Sequence, residues 1–188
     1  MLKDLIKANR SYRRFYQEEK ISEDTLRELV DLARLSATGA NRQPLKFILS
    51  TENNKNAKVF ECLKWAGYLT EWSGPEEGER PAGYIVILED KNIGLVGGVD
   101  HGIAAQSILL GATEKGLGGC MFGAIDKPKL KENLNIAADF EILLVIALGK
   151  PKEIVSIDPV KDGNIKYWRD DEQVHHVPKR ELEDLIIN

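Results

Sequence analysis

The sequence predicts an α+β fold in which a small mixed or antiparallel sheet packs between helices. Two observations carry this. The first two periodic segments are helical, and helices outnumber a few scattered strand candidates. A doubly wound dinucleotide fold is excluded, because no Gly-x-Gly-x-x-Gly joins a first strand to a helix. The 188 residues, 43% hydrophobic and 30% charged, suit one domain over residues 1–188 that needs no disulfide or metal staple.

Leu2–Asn9 sets Leu2, Leu5 and Ile6 on one helical face. Ser22 is a favourable N-cap for a second helix, with Glu23 and Asp24 in its first turn and Ile21 and Leu26 at the ends of a hydrophobic staple. Leu26, Leu29, Val30 and Ala33 then form an apolar stripe ending near Leu35. After the loop Ser36–Pro44, Lys46–Thr51 is a strand candidate, and Asn53 or Asn54 caps a helix through Phe60 and Leu63. Trp65–Ala82, rich in Gly, Pro and Glu, reads as irregular surface with aromatic faces, suited to a lid or pocket wall.

Gly83–Glu89 is a strand. Asp100 caps a long helix, Gly102–Lys115, whose apolar residues cover nearly its whole circumference and mark it as the buried central helix. Gly116 and Leu117 form a Schellman stop. Asp126 and Pro128 open a short helix, and the unalternating run Ile142–Leu148 is a strand buried on both faces. Asp158–His176 is polar and arm-like, and Pro178 starts a last helix through Leu182, Leu185 and Ile186.

Cys62 and Cys120 are too few for a disulfide framework and suit a reducing compartment. Charges interrupt Met1–Lys7 where a signal peptide needs an apolar stretch, and Ile142–Leu148 is far shorter than the ~20 residues that span a bilayer. A soluble, cytoplasmic protein is expected. The net charge of −4 argues against a nucleic-acid partner. Three histidines and no His/Cys/Asp cluster leave no metal site, and the adjacent His175 and His176 read as surface or edge residues.

Three segments have the residue types for ligand chemistry. Arg10-Ser-Tyr-Arg13-Arg14 offers guanidinium forks and a hydroxyl to phosphate oxygens. Thr38-Gly-Ala-Asn41-Arg-Gln43-Pro44 offers amides that can read the edge of a heterocycle. Gly116–Gly123, with four glycines in eight residues, lets backbone approach a ligand closely. Taken singly, each has a plainer account: a solvated helix end pairing with Glu18 or Glu19, an ordinary loop, and a tight helix-to-strand connection.

Together and in this order they resemble the nitroreductase family of flavin mononucleotide (FMN) enzymes. The matching residues are Arg10, Ser11 and Arg13 after a first helix, and Asn41, Gln43 and Pro44 after a small-residue loop. The long helix Asp100–Lys115 runs into Gly116, Leu117, Gly118, Cys120 and Gly123, and Pro178-Lys179-Arg180 follows near the C-terminus. The resemblance implies that Arg10, Ser11, Arg13 and Lys179, with Arg180, hold the FMN phosphate. It implies that Thr38, Ala40, Asn41 and Gln43 contact the flavin from a partner subunit, and that Phe122 and Gly123 lie beside the isoalloxazine with a backbone N–H toward N5. It further implies a homodimer with exchanged C-terminal segments and two interfacial sites. The implied activity is ping-pong transfer from NAD(P)H through flavin to nitroaromatics, quinones or similar electron-poor small molecules, with no membrane or nucleic-acid partner. The flavin does the chemistry, so no catalytic acid, base or nucleophile is expected. A flavin store or sensor without fast turnover, and a relative doing other flavin chemistry such as reductive dehalogenation, are the alternatives. Leu45 stands where many members carry tryptophan and Met121 where an aromatic is common, differences that bear on substrate rather than fold.

Overall fold

The computed structural model describes residues 1–187. In chain order it contains α1 (Leu2–Ala8), β1 (Phe15–Tyr16), α2 (Glu23–Arg34), β2 (Leu45–Ser50), α3 (Asn53–Phe60) and β3 (Gly83–Asp90). There follow α4 (Asp100–Glu114), β4 (Gly118–Phe122), α5 (Lys127–Leu134), β5 (Phe140–Pro151), β6 (Val155–Pro159), β7 (Trp168–Arg169) and β8 (His175–Lys179). Helix and strand contribute nearly equal lengths, so the expectation that helices dominate understated the sheet.

The main sheet is antiparallel in the order β2–β3–β5–β4, with β1 paired to the far end of β5. Its two faces bury different residues of the same strands. Ile85, Ile87, Ile146 and Leu148 pack under α2 and α4, while Tyr84, Val86, Val145 and Ala147 pack under α3, α5 and the ring of Phe122. Helices on both faces explain why β3 and β5 read as unbroken apolar runs, a pattern more usual in parallel sheets. The sheet between helices expected from the sequence is therefore present.

Local signals placed most boundaries. Ser22 Oγ accepts from Thr25 N at 3.1 Å, with Ile21 and Leu26 buried behind it. Asp126 caps α5 by accepting from Lys129 N. At the end of α4, Leu117 N donates to Ala112 O and Gly116 N to Thr113 O, the paired bonds of a Schellman motif, with Gly116 at φ +72°.

Other expectations are corrected. The α3 N-cap is Glu52, because Asn53 spends its side-chain oxygen on Lys20 Nζ. Asp100 lies inside α4 rather than capping it, and its carboxylate accepts from Gly39 N at 3.0 Å across the 38–41 loop. Nor is α4 buried all round: Ile103 is exposed while Ala104, Ala105, Ile108 and Leu109 are buried. Among the described residues the last helix is absent. Pro178 lies in β8, parallel to β6, and only a 3₁₀ turn at Leu182–Asp184 follows. β7 covers only His175 and His176, so β8 is an edge at Pro178, where a missing N–H is tolerated. The arm-like stretch Asp158–His176 thus contributes β7, the end of β6 and the start of β8 to a second, three-stranded sheet, β6–β8–β7.

Candidate functional site

A cleft of about 300 Å³ opens where the segment after α1 crosses β4 and meets β8. Arg10, Ser11 and Arg13 form one wall and Lys179 another, although more than 160 residues separate them in sequence. Gln106 and Leu109 of α4, with Gly119 and Met121 of β4, supply a mixed polar and apolar floor, and Tyr167 and His175 complete the lining.

Close approach of the Arg10–Arg14 segment to β4 depends on glycine. Ser11 bridges Gly119, and Tyr12 N donates to Gly119 O at 3.0 Å. A Cβ on Gly118 would sit 2.5 Å from Tyr12 Cδ2, so a side chain there would push the segment off the strand. Along β4 the residues then alternate. Gly119 and Met121 line the cleft, whereas Cys120 and Phe122 turn into the opposite core.

The segment is held from below by a residue that sequence patterns did not single out. Glu153 is buried and accepts from the backbone N–H groups of Arg13 and Arg14, and from Arg169 at 3.0 Å. Arg14 points away from the cleft and makes a two-pronged pair with Glu79 at 2.6 and 2.7 Å, which holds that carboxyl down at about 2. The plain expectation that these arginines pair with Glu18 or Glu19 is not met. Arg10 gives one guanidinium N–H to Ile6 O, while its Nε is buried with no partner. Arg13 lies over the Tyr167 ring at 4.8 Å and meets His175 Nε2 at 3.1 Å.

His175 is fully buried, which corrects its reading as a surface residue, and burial beside Arg13 and Arg169 depresses its pKa to about 4. Its neighbour His176 stacks on Trp168 at 4.7 Å. That ring lies between the carboxylates of Asp158 and Asp170 at 2.7 and 3.1 Å, which raise its pKa. The adjacent rings therefore face opposite electrostatic environments, as alternation along a strand requires. Among the described residues, no three His, Cys, Asp or Glu side chains gather as a metal site needs.

Of the residues singled out from sequence, Arg10, Ser11, Arg13 and Lys179 converge in the cleft. Arg180 is exposed and does not line it. Thr38, Ala40, Asn41 and Gln43 lie outside it on a strained loop, with Ala40, Asn41 and Gln43 all at φ near +50°. Phe122 packs its ring on Trp65 at 4.6 Å, and Gly123 is exposed beyond the end of β4. Cys120 is buried among apolar groups that push its thiol pKa up, as a structural cysteine requires. Trp65–Ala82 packs Trp65 against Phe60, Trp72 and Phe122 and sets Tyr68 on Tyr167, so this segment backs one wall of the cleft. Tyr167, Gln106 and His175 were missed, and only the adjacent aromatics Tyr167 and Trp168 gave any signal.

The donor set fits a phosphate monoester. Two guanidinium groups, an ammonium group and a hydroxyl share one cleft, and one guanidinium nitrogen lacks an acceptor. The chain is similar to an Archaeoglobus fulgidus protein provisionally named NADH dehydrogenase/NAD(P)H nitroreductase, 25% identical over 74% of this chain and 80% of that protein. It is similar to an iodotyrosine deiodinase of Thermotoga neapolitana, 21% identical over 89% of this chain and 97% of the relative. A solved nitroreductase family protein of Clostridium novyi NT superposes with a TM-score of 0.69 at 25% identity, covering 95% of this chain and 94% of that one. The model of the nitroreductase family matches residues 6–69 and 82–150, which include the arginine segment, the Asn41–Pro44 loop and the glycine-rich strand β4. With its sheet between helices and these segments in register, the chain belongs to the nitroreductase family.

Proposed function

We propose that the protein is an FMN-dependent reductase that takes electrons from NAD(P)H and passes them, in ping-pong order, to an electron-poor small molecule. Family membership carries the coarse part, a flavin-dependent oxidoreductase. The FMN part of the finer reading rests on one observation: Arg10, Ser11, Arg13 and Lys179, distant in sequence, line one cleft with an unpartnered Arg10 Nε.

The protein's own residues do the following in this reading. Arg10, Arg13 and Lys179 neutralise the phosphate, and Ser11 adds a hydrogen bond. Met121 and Leu109 offer an apolar floor to the ring system. The backbone N–H groups at Phe122 and Gly123 are the donors toward the flavin edge. The bound flavin supplies hydride acceptance and return, while the protein supplies orientation and exclusion of water.

A cleft of about 300 Å³ is at the low end for a small-molecule site, which fits half of a shared one. We assign the other half to a second copy, which brings Thr38, Ala40, Asn41 and Gln43. The exposed apolar residues Leu2, Ile6, Val99 and Ile103, on α1 and around the start of α4, are surface for such a homodimer to cover. Similarity to a deiodinase over 89% of this chain favours a second reading, reductive dehalogenation by the same site.

The test is the absorbance spectrum of the purified protein, with any released flavin identified chromatographically and followed by stopped-flow mixing with NADH and NADPH. A yellow protein that bleaches on mixing supports the reading. A colourless protein that also fails to take up FMN refutes it, and nitroaromatics, quinones and halophenols offered to the reduced protein separate the two acceptor classes.

A further inference from the structure

His175 is a buried residue of the cleft lining, and its two ring nitrogens differ sharply. Nε2 lies 3.1 Å from an Arg13 guanidinium nitrogen, whereas Nδ1 is buried with no partner. We propose that His175 is a further phosphate-binding residue, donating Nδ1–H to an oxygen of the monoester that Arg10, Ser11, Arg13 and Lys179 surround. This rests on the FMN reading above and extends it to a residue that no family motif reaches.

Donor and acceptor chemistry fixes the tautomer. A guanidinium has donors and no acceptor, so Nε2 must accept from Arg13. The single proton of the neutral ring then sits on Nδ1. The ionisable groups facing the ring are Arg13, Arg169 and His176, and with burial they hold it neutral at pH 7. The ring is also fixed in place. His175 N donates to Ile154 O at 2.9 Å, and the Tyr167 ring lies 5.2 Å away while also supporting Arg13. An oriented, buried N–H without an acceptor, on a residue that lines a cleft of cationic groups, matches an acceptor-rich anion. Because it is neutral, the imidazole adds a directed donor without adding to the repulsion among the cations.

FMN and riboflavin differ only by the phosphate, so the ratio of their affinities isolates it. Quenching of flavin fluorescence is measured for the wild-type protein, His175→Phe, which keeps a ring, and His175→Asn, which returns an amide N–H near the Nδ1 position. His175→Phe is expected to lose roughly ten- to hundredfold in FMN affinity with riboflavin unchanged, and His175→Asn to regain most of it. A second measurement needs no substitution. Imidazole ¹⁵N spectra of the wild-type protein should show the proton on Nδ1, and that nitrogen should shift when FMN is added. An unchanged FMN-to-riboflavin ratio in His175→Phe, or a proton on Nε2, overturns the inference while leaving the FMN reading standing. A wild-type protein that binds neither flavin overturns both, and if His175→Phe does not fold the ¹⁵N spectra decide alone.

Discussion

The Glu153→Gln substitution tests whether the cleft is built from beneath. Glu153 has a side chain only 1% exposed, and it faces Arg169, itself 9% exposed with its Nε unpartnered. Burial already pushes the Arg169 guanidinium below its ordinary pKa, so the carboxylate is what makes that charge tolerable there. The amide keeps an oxygen for the N–H groups of Arg13 and Arg14 but withdraws the counter-charge. Breaking one side of a buried ion pair costs about 3–5 kcal/mol, and the retained acceptor puts Glu153→Gln near about 3. For a chain of this length that is about 6–12 °C in Tm. Scanning calorimetry or urea unfolding reads it, with retained flavin as a second signal from the Arg10–Arg14 segment. The paired variant Glu153→Gln with Arg169→Met removes both charges and should recover much of the loss, giving a coupling energy of about 1 kcal/mol or more. If Glu153→Gln lies within about 0.5 kcal/mol of wild type, the network does not hold the segment.

Arg10→Ala and Arg13→Ala should each weaken FMN retention by about 1–3 kcal/mol through lost charged hydrogen bonds, read by equilibrium dialysis. If both retain full flavin stoichiometry, the phosphate assignment is wrong. The neighbouring histidines should give stability a maximum near pH 6.5. His175, depressed to about 4, destabilises the fold as pH drops from 6.5 to 4, and His176, with a raised pKa, contributes stability below 6.5 that is lost as pH rises through its folded value. Urea midpoints across pH should lose the acid-side slope in His175→Phe and the alkaline-side slope in His176→Gln, and unchanged slopes would contradict both assignments. Ala40→Gly should raise stability by about 0.5 kcal/mol, because a left-handed alanine costs about 1–2 and glycine's extra chain entropy offsets only part. A measured loss would mean the loop is not strained.

What could be read from the sequence was whatever local chemistry sets. Ser22, Asp126 and Gly116 act within a few residues of themselves, the run through Val86 reported a strand, and the run through Val145 reported burial on both faces of a sheet. The errors share a cause. Asp100 has the composition of a cap, but its carboxylate serves a loop some sixty residues away. Pro178 has the form of a helix start, but the preceding extended residues pair with β6 and carry it into a strand. In both cases a distant partner outweighed a correct local preference.

The cleft divides along the same line. Under the proposed function, Arg10, Ser11 and Arg13 could be named because phosphate chemistry draws on a small set of side chains, and Lys179 because its place in the chain order resembles a family. The residues that hold them could not. Glu153 is one carboxylate among thirty acidic residues, and His175 one of three histidines; neither has a pattern around it. Their roles exist only after β5 and β8 place them under the Arg10–Arg14 segment, where a charge becomes costly to leave unpaired and a tautomer is fixed by one guanidinium. Contact residues are constrained by the ligand, and so leave a signature of residue type. Supporting residues are constrained by burial, and so leave a signature only in three dimensions. Specificity among relatives that share the same arginines and glycines is therefore best sought in this buried layer, where a change alters the ligand's hydrogen bonds without altering any motif.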